Sequence, residues 1–311
     1  MRNSSTRTNG FWVSASLALA ACGGPDEVVD PVTAETVVTD EVATESAEQP
    51  IYSGLAVPWV AGVGPAAPYN GTVGMHLSSR QGIYRTPFCT GTLIHERWIL
   101  TAAHCVTDGR KIRAASTIKV YVNPDDANTT NETNAQFLTR LVNVSRVIRH
   151  PNYATNGYGV NDVALLELSA AVPNDGLGTE VVPALPANAG FTAGETLSFA
   201  GYGRTQPNGG TGILLQLDLP LAGLGCGGVA GCSGANPATT IGYSQVDGGD
   251  AGALGDGPCA GDSGGPAYVQ RNGQWFVGGV TSYGDAACTV YGISMRTDAY
   301  AAWLAGYVPA N

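Results

Sequence analysis

From Ile51 onward the chain is written in short apolar or alternating runs, and that texture constrains the fold more than any other feature. Eleven such runs, at 72–77, 92–94, 98–101, 118–122, 142–148, 163–168, 196–200, 213–217, 267–270, 275–282 and 292–296, are parted by Gly, Asn, Asp and Pro. Alternation with period 2 is what a strand with one buried face requires, and each run is too short to build a full helical stripe. The 43 glycines and 18 prolines supply the turns that many short strands need. Residues 51–311 therefore read as an all-β barrel or sandwich. No internal repeat is visible. Residues 298–308 place Ala, Trp and Leu at near-helical spacing, and read as a short C-terminal helix docking Trp303 on the core.

Two segments of different character precede this region. Residues 1–21 read as a signal peptide: Arg2 and Arg7 give a positive start, and the apolar stretch 11–21 is too short to span a bilayer comfortably. It ends in Leu19-Ala20-Ala21-Cys22, which resembles the lipobox of bacterial lipoproteins, whose cysteine is lipidated and becomes the mature N-terminus. An ordinary signal peptide cut near Ala21, with an incidental cysteine, is the alternative. More than one acyl chain on Cys22 would hold the protein on a membrane. Residues 22–50 carry eight acidic side chains and no basic one, out of a formal net charge of -10 for the whole chain. Like charges repel and little there can be buried, so the segment reads as a disordered tether, a propeptide, or both. Nothing makes a basic surface for nucleic acid.

The chemistry centres on Gly261-Asp262-Ser263-Gly264-Gly265-Pro266. Glycine lets a backbone approach a substrate closely, and Gly261 and Ser263 can aim two N–H groups at one point, as an oxyanion hole requires. Asp262 can fix the turn through an ion pair. An ordinary Gly-rich turn is the bland alternative, so a base and a group to orient it are needed as well. Of four histidines, His104 alone sits between small residues and a cysteine, in Thr101-Ala102-Ala103-His104-Cys105. His76, His95 and His150 lack such a setting and read as bystanders. Asp162, in Asn161-Asp162-Val163-Ala164-Leu165-Leu166, is an acid at the lip of a core, where a carboxylate needs partners or protonates. An imidazole N–H is such a partner.

With these residues on the page, the chain is seen to resemble the trypsin-like (chymotrypsin-fold) serine proteases over about 51–311. The resemblance rests on FCTGTLI at 88–94, TAAHC at 101–105, HPNY at 150–153, NDVALLEL at 161–168, GYG at 201–203, GDSGGP at 261–266 and TSYG at 281–284. It implies two six-stranded antiparallel β-barrels with the triad His104, Asp162, Ser263 between them, acting on protein or peptide substrates without metal or organic cofactor. It implies bridges Cys89–Cys105 and Cys259–Cys288, while a further bridge common in the family falls at Leu197 and Val269, lost on both sides. Cys226 and Cys232 have five residues between them and read as closing a loop of their own. Such bridges require an oxidising compartment, in keeping with export to the cell envelope or beyond.

Specificity and activation depart from the family pattern. The pocket floor falls at Gly257, where trypsins have aspartate, and Gly284 and Gly292 read as open pocket walls. These glycines imply a medium or large apolar residue before the cut bond, while Ser282-Tyr283-Gly284 resembles the edge that pairs with substrate backbone. Asp256 or Asp285 reaching in to select a base is the alternative. Ile51-Tyr52-Ser53-Gly54 resembles the new terminus that family members gain on cleavage, with Asp262 as its partner, although Pro50 stands where activating proteases want Arg or Lys. An exported serine endopeptidase is thus the leading expectation. A catalytically silent homologue binding a partner through its cleft, or a surface adhesin with incidental proteolysis, are the competing ones.

Overall fold

The alternating runs become strands because each buries one face and leaves the other to solvent or a neighbour. The computed structural model describes residues 37–38, 51, 54–60, 64–124, 131–154, 159–203, 212–246 and 255–310. The chain divides into Met1–Ala34, which lies outside the described residues, and Glu35–Asn311, which holds all that follows. The expected signal peptide, Cys22 and most of the acidic segment lie outside the described residues; within that segment, Val37–Val38 runs parallel to Ile83 and Tyr84.

Six strands form the first barrel: β1 (Thr72–Ser79), β2 (Gly82–His95), β3 (Trp98–Thr101), β4 (Ile118–Tyr121), β5 (Leu141–Arg149) and β6 (Ala164–Leu168). Six more form the second: β7 (Thr196–Gly201), β8 (Leu215–Leu224), β9 (Thr240–Ser244), β10 (Pro266–Arg271), β11 (Gln274–Gly284) and β12 (Tyr291–Arg296). The first runs β2-β1-β4-β5-β6-β3 and closes through β2–β3; the second runs β8-β7-β10-β11-β12-β9 and closes through β8–β9. The strand order is the same in both, a repeat that the residues themselves do not display. Closure removes the unpaired edges that open sheets expose. Val73, Leu93, Ile99 and Leu166 fill the first interior, and Leu197, Phe199, Ile241 and Val269 the second, all fully buried. Leu197 and Val269, the positions of the absent bridge, thus pack as apolar core.

The predicted C-terminal helix is a 3-10 turn at Thr297–Tyr300 followed by an α-helix at Ala301–Ala305. A second short helix, Asn134–Thr139, was not expected. Thr133 caps it, accepting from Gln136 N–H while the Gln136 side chain accepts from Thr133 N–H, the reciprocal pattern of a capping box. Its Phe137 stacks on Tyr121 with ring centroids 5.6 Å apart. Strand β9 was also missed, and it bears on the site described next.

Candidate active site

His104 and Asp162 meet because β3 and β6 are antiparallel neighbours with Thr101 opposite Ala164. That register sets the turn after β3, which carries His104, beside the turn before β6, which carries Asp162. The Asp162 carboxylate accepts the backbone N–H of His104 at 2.8 Å on Oδ1 and lies 2.7 Å from His104 Nδ1 through Oδ2. Ser282 of β11 donates its hydroxyl to the same Oδ2 at 2.5 Å. The acid's side chain is 3% exposed, against 34% for the imidazole. Burial works to raise the Asp162 pKa, but the charge and hydrogen bonds of His104 and the Ser282 hydroxyl outweigh it and hold the acid below its ordinary value. An ionised Asp162 can only accept, so Nδ1 carries a proton, and Nε2 is the ring nitrogen that can act as a base when the imidazole is neutral.

The turn bearing Ser263 is seated by Thr90 of β2, which the sequence reading passed over. Thr90 N–H donates to the Ser263 carbonyl at 2.9 Å, and its hydroxyl donates to Gly261 O at 2.8 Å while accepting from Tyr202 N–H at 3.2 Å. The Ser263 carbonyl also rests 3.5 Å from Cys105 Sγ, a packing contact because a bridged sulfur has no hydrogen to give. Gly264 adopts φ +81, and a Cβ there would stand 2.1 Å from Thr101 Oγ1. Glycine at this position is thus demanded by both backbone and neighbours. Asp262 N–H is bonded to Cys259 O at 3.1 Å. On either side of it, the N–H groups of Gly261 and Ser263 find no acceptor among the described residues.

Asp262 is buried behind this turn. Its carboxylate accepts from Gly203 N–H at 3.0 Å and Cys259 N–H at 3.2 Å, and from the backbone N–H of Ile51. Burial pushes its pKa up to about 7, and those three donors offset part of the rise. The GYG marker gains a reason: a Cβ on Gly201 would lie 2.0 Å from Asp262 Oδ1, and one on Gly203 2.7 Å from Oδ2. Ile51 itself is 1% exposed.

The glycines expected around the pocket are filled behind by other groups, two of them by side chains. A Cβ on Gly292 would fall 2.2 Å from the Tyr243 ring, and one on Gly257 2.2 Å from Gln245 Nε2. Tyr243 lies in β9 and Gln245 follows it, so the missed strand supplies what fills both spaces. Gly284 Cα faces Tyr291 O, which a Cβ would meet at 2.4 Å. Asp285 does not reach toward Gly257: its carboxylate accepts from the N–H groups of Ala287, Thr289, Val290 and Tyr291 and pins the loop at Cys288. Burial would raise its pKa, but these donors leave it lowered. The described contact of Asp256 with this region is its backbone N–H on Gln245 O, at 3.0 Å. Tyr283 lays its ring against Gly159, in the loop before Asp162.

Cys89–Cys105, Cys226–Cys232 and Cys259–Cys288 are bridged. Ligand atoms of Cys89, His104 and Cys105 lie within 4.8 Å of one another, but the bridge leaves neither sulfur as a thiolate for a metal. Among the other histidines, His76 is enclosed by Tyr121 and Phe137, and burial lowers its pKa to about 4. The His150 ring packs 5.1 Å from Trp303 and so docks the C-terminal helix. Among the described residues, no helix is long and apolar enough to cross a membrane.

Comparison with known proteins places these features in a family. The family model described as Trypsin matches residues 60–304. Chymotrypsin-like elastase family member 1 of Bos taurus is 30% identical over 247 residues, covering 77% of this chain and 85% of that protein.

Proposed function

Since the chain belongs to the trypsin family of serine proteases, we propose that it is an exported endopeptidase that cuts peptide bonds through an acyl-enzyme on Ser263. The grip on His104 carries this reading: one buried carboxylate holds both the backbone N–H and ring Nδ1, at 2.8 and 2.7 Å. Ser263 Oγ attacks the scissile carbonyl carbon while His104 Nε2 takes its proton. The C–N bond then breaks as the imidazolium returns that proton to the leaving amine. Water, activated by the same nitrogen, releases the acyl group and restores Ser263. Gly261 and Ser263 N–H groups are the donors for the oxyanion, each worth about 3 kcal/mol. Protein or peptide substrates would lie along residues 282–284 as an added strand. The steps use no metal or organic cofactor.

The contact between Ile51 and Asp262 supports a switch. In the uncut chain an amide N–H meets the carboxylate; cleavage before Ile51 by an activating protease would replace it with an ammonium and strengthen the hold on the turn. The three bridges fit an oxidising location. In this reading the protein is a lipoprotein of the bacterial cell envelope, anchored through Cys22 with residues 22–50 as its tether. Partition of wild type with membranes, and release of Cys22→Ser into the soluble fraction, are the outcomes expected.

The central test is labelling by a fluorophosphonate probe of protein purified as exported, with Ser263→Ala as control. Wild type should label and hydrolyse peptide substrates, and the control should do neither. A folded wild type that stays unlabelled would instead be a silent homologue acting as a binding module.

A further inference from the structure

In the protease reading the floor of the substrate pocket has no acid at Gly257, and what stands there is the carboxamide of Gln245. We infer that Gln245 is the specificity-determining residue of this protease, and that it selects a neutral hydrogen-bond-donating side chain before the cut bond. The inference rests on the protease reading above, with residues 257–263 and 282–284 as pocket walls. A side chain on residue 257 would begin inside the volume that the Gln245 amide fills: a Cβ there would meet Nε2 at 2.2 Å and Cδ at 2.8 Å. Gln245 follows β9 and Gly257 lies in the segment before Ser263, so the amide reaches this place from a neighbouring segment of the chain.

The amide is held in one orientation. The Gln245 backbone is fixed on both sides, its N–H donating to Val290 O at 3.0 Å and its main-chain carbonyl accepting from Asp256 N–H at 3.0 Å, while the side-chain Nε2 donates to Pro258 O at 2.8 Å. A carbonyl can only accept, so Nε2 must face Pro258 and Oε1 must face the other way. The residue is 1% exposed, and Oε1 is buried with no hydrogen-bond partner among the described residues. It points toward the opposite wall, where a Cβ on Gly284 would lie 3.4 Å from it. A buried acceptor without a donor is costly, and an incoming amide N–H or phenol O–H supplies one. An apolar side chain of the same shape would leave Oε1 unpaired. A cation would be desolvated against a neutral oxygen that cannot balance its charge. The pocket is thus neither the basic-residue pocket that an acid at 257 would make nor a plain apolar slot.

The test uses fluorogenic peptide amides identical except before the cut bond, where Gln is compared with Met, Tyr with Phe, and Lys stands as the cation. Wild type should favour Gln over Met and Tyr over Phe in kcat/KM by about tenfold or more, since a site built to pair a polar group rejects the analogue lacking it. Gln245→Met should reverse the Gln/Met ratio, and Gln245→Glu should raise Lys cleavage at least tenfold relative to Met. Cooperative urea unfolding with a midpoint near that of wild type shows that each variant folds. The wild-type ratios alone decide the question should a variant fail to fold. Labelled wild type with Met and Phe cleaved as well as Gln and Tyr overturns this inference and leaves the protease reading standing. Wild type that never labels overturns both.

Discussion

At the scale of single residues, the site depends on groups whose hydrogen bonds have no slack. Asp162 accepts from His104 N–H, from His104 Nδ1 and from Ser282. Asp162→Asn sets an amide NH2 against Nδ1 or forces the other tautomer, and kcat is expected to fall by about 10⁴ with KM little changed. Steady-state kinetics on one peptide substrate reads this directly. Thr90 is fully buried and its hydroxyl serves Gly261 O and Tyr202 N–H at once. Thr90→Val keeps the shape but strands both groups, so stability should drop by about 1–3 kcal/mol in urea unfolding, with slower labelling of Ser263. Asp162, His104 and Ser263 were legible in the sequence because short local patterns announce them. Thr90, Ser282 as a donor to Asp162, and Gln245 were not, since threonine, serine and glutamine carry no mark until a distant partner is known.

At the scale of elements, turns with a single permitted residue govern the geometry. Gly264 combines φ +81 with contacts that leave no room for a Cβ, 2.1 Å from Thr101 Oγ1 and 2.5 Å from Thr90 O. Gly264→Ala should cost about 2–4 kcal/mol and abolish labelling, because the turn must move away from the His104 loop to admit the methyl. Removing Cys89–Cys105 as a double alanine variant should cost about 2–4 kcal/mol in urea unfolding. Most strands were legible from alternation, and β3 (Trp98–Thr101) to the residue. Strand β8 extends from Leu215 to Leu224, through Pro220 and Gly223, which break its pattern. The helix at Asn134–Thr139 had a legible signal in Thr133-x-x-Gln136, a capping box that the reading by strand periodicity passed over.

At the scale of the whole molecule, two buried acids give opposite responses to pH. Asp162 is held below its ordinary pKa, so the stability it contributes is present above about pH 4 and lost as pH falls through its folded value. Asp262 is raised to about 7, so the folded uncut chain binds a proton that the unfolded chain has released. Its stability should therefore decline as pH rises from about 4 to about 7, by at most about 1.4 kcal/mol per unit, and level off above. Urea midpoints across this range should show the decline in uncut chain and not in Asp262→Asn. Chain cut before Ile51, confirmed by N-terminal sequencing, should lose the decline as well, because an ammonium stabilises the ionised acid. An unchanged profile after the cut would sink the proposed switch.

The sequence by itself determined the strand texture, the turn glycines, the order of the site residues and the cysteine set. Each of these is local: alternation, a positive φ or a motif depends on neighbours in the chain. Tertiary structure decided the rest, because it arises from contacts whose partners are set by strand register. Ser282 meets Asp162 across 120 residues and Thr90 meets Gly261 across 171. The matching strand orders of the two barrels, hidden in residues that need only alternate, belong with these. So does the place beside Gly257, which reads as empty until the segment after β9 carries Gln245 into it.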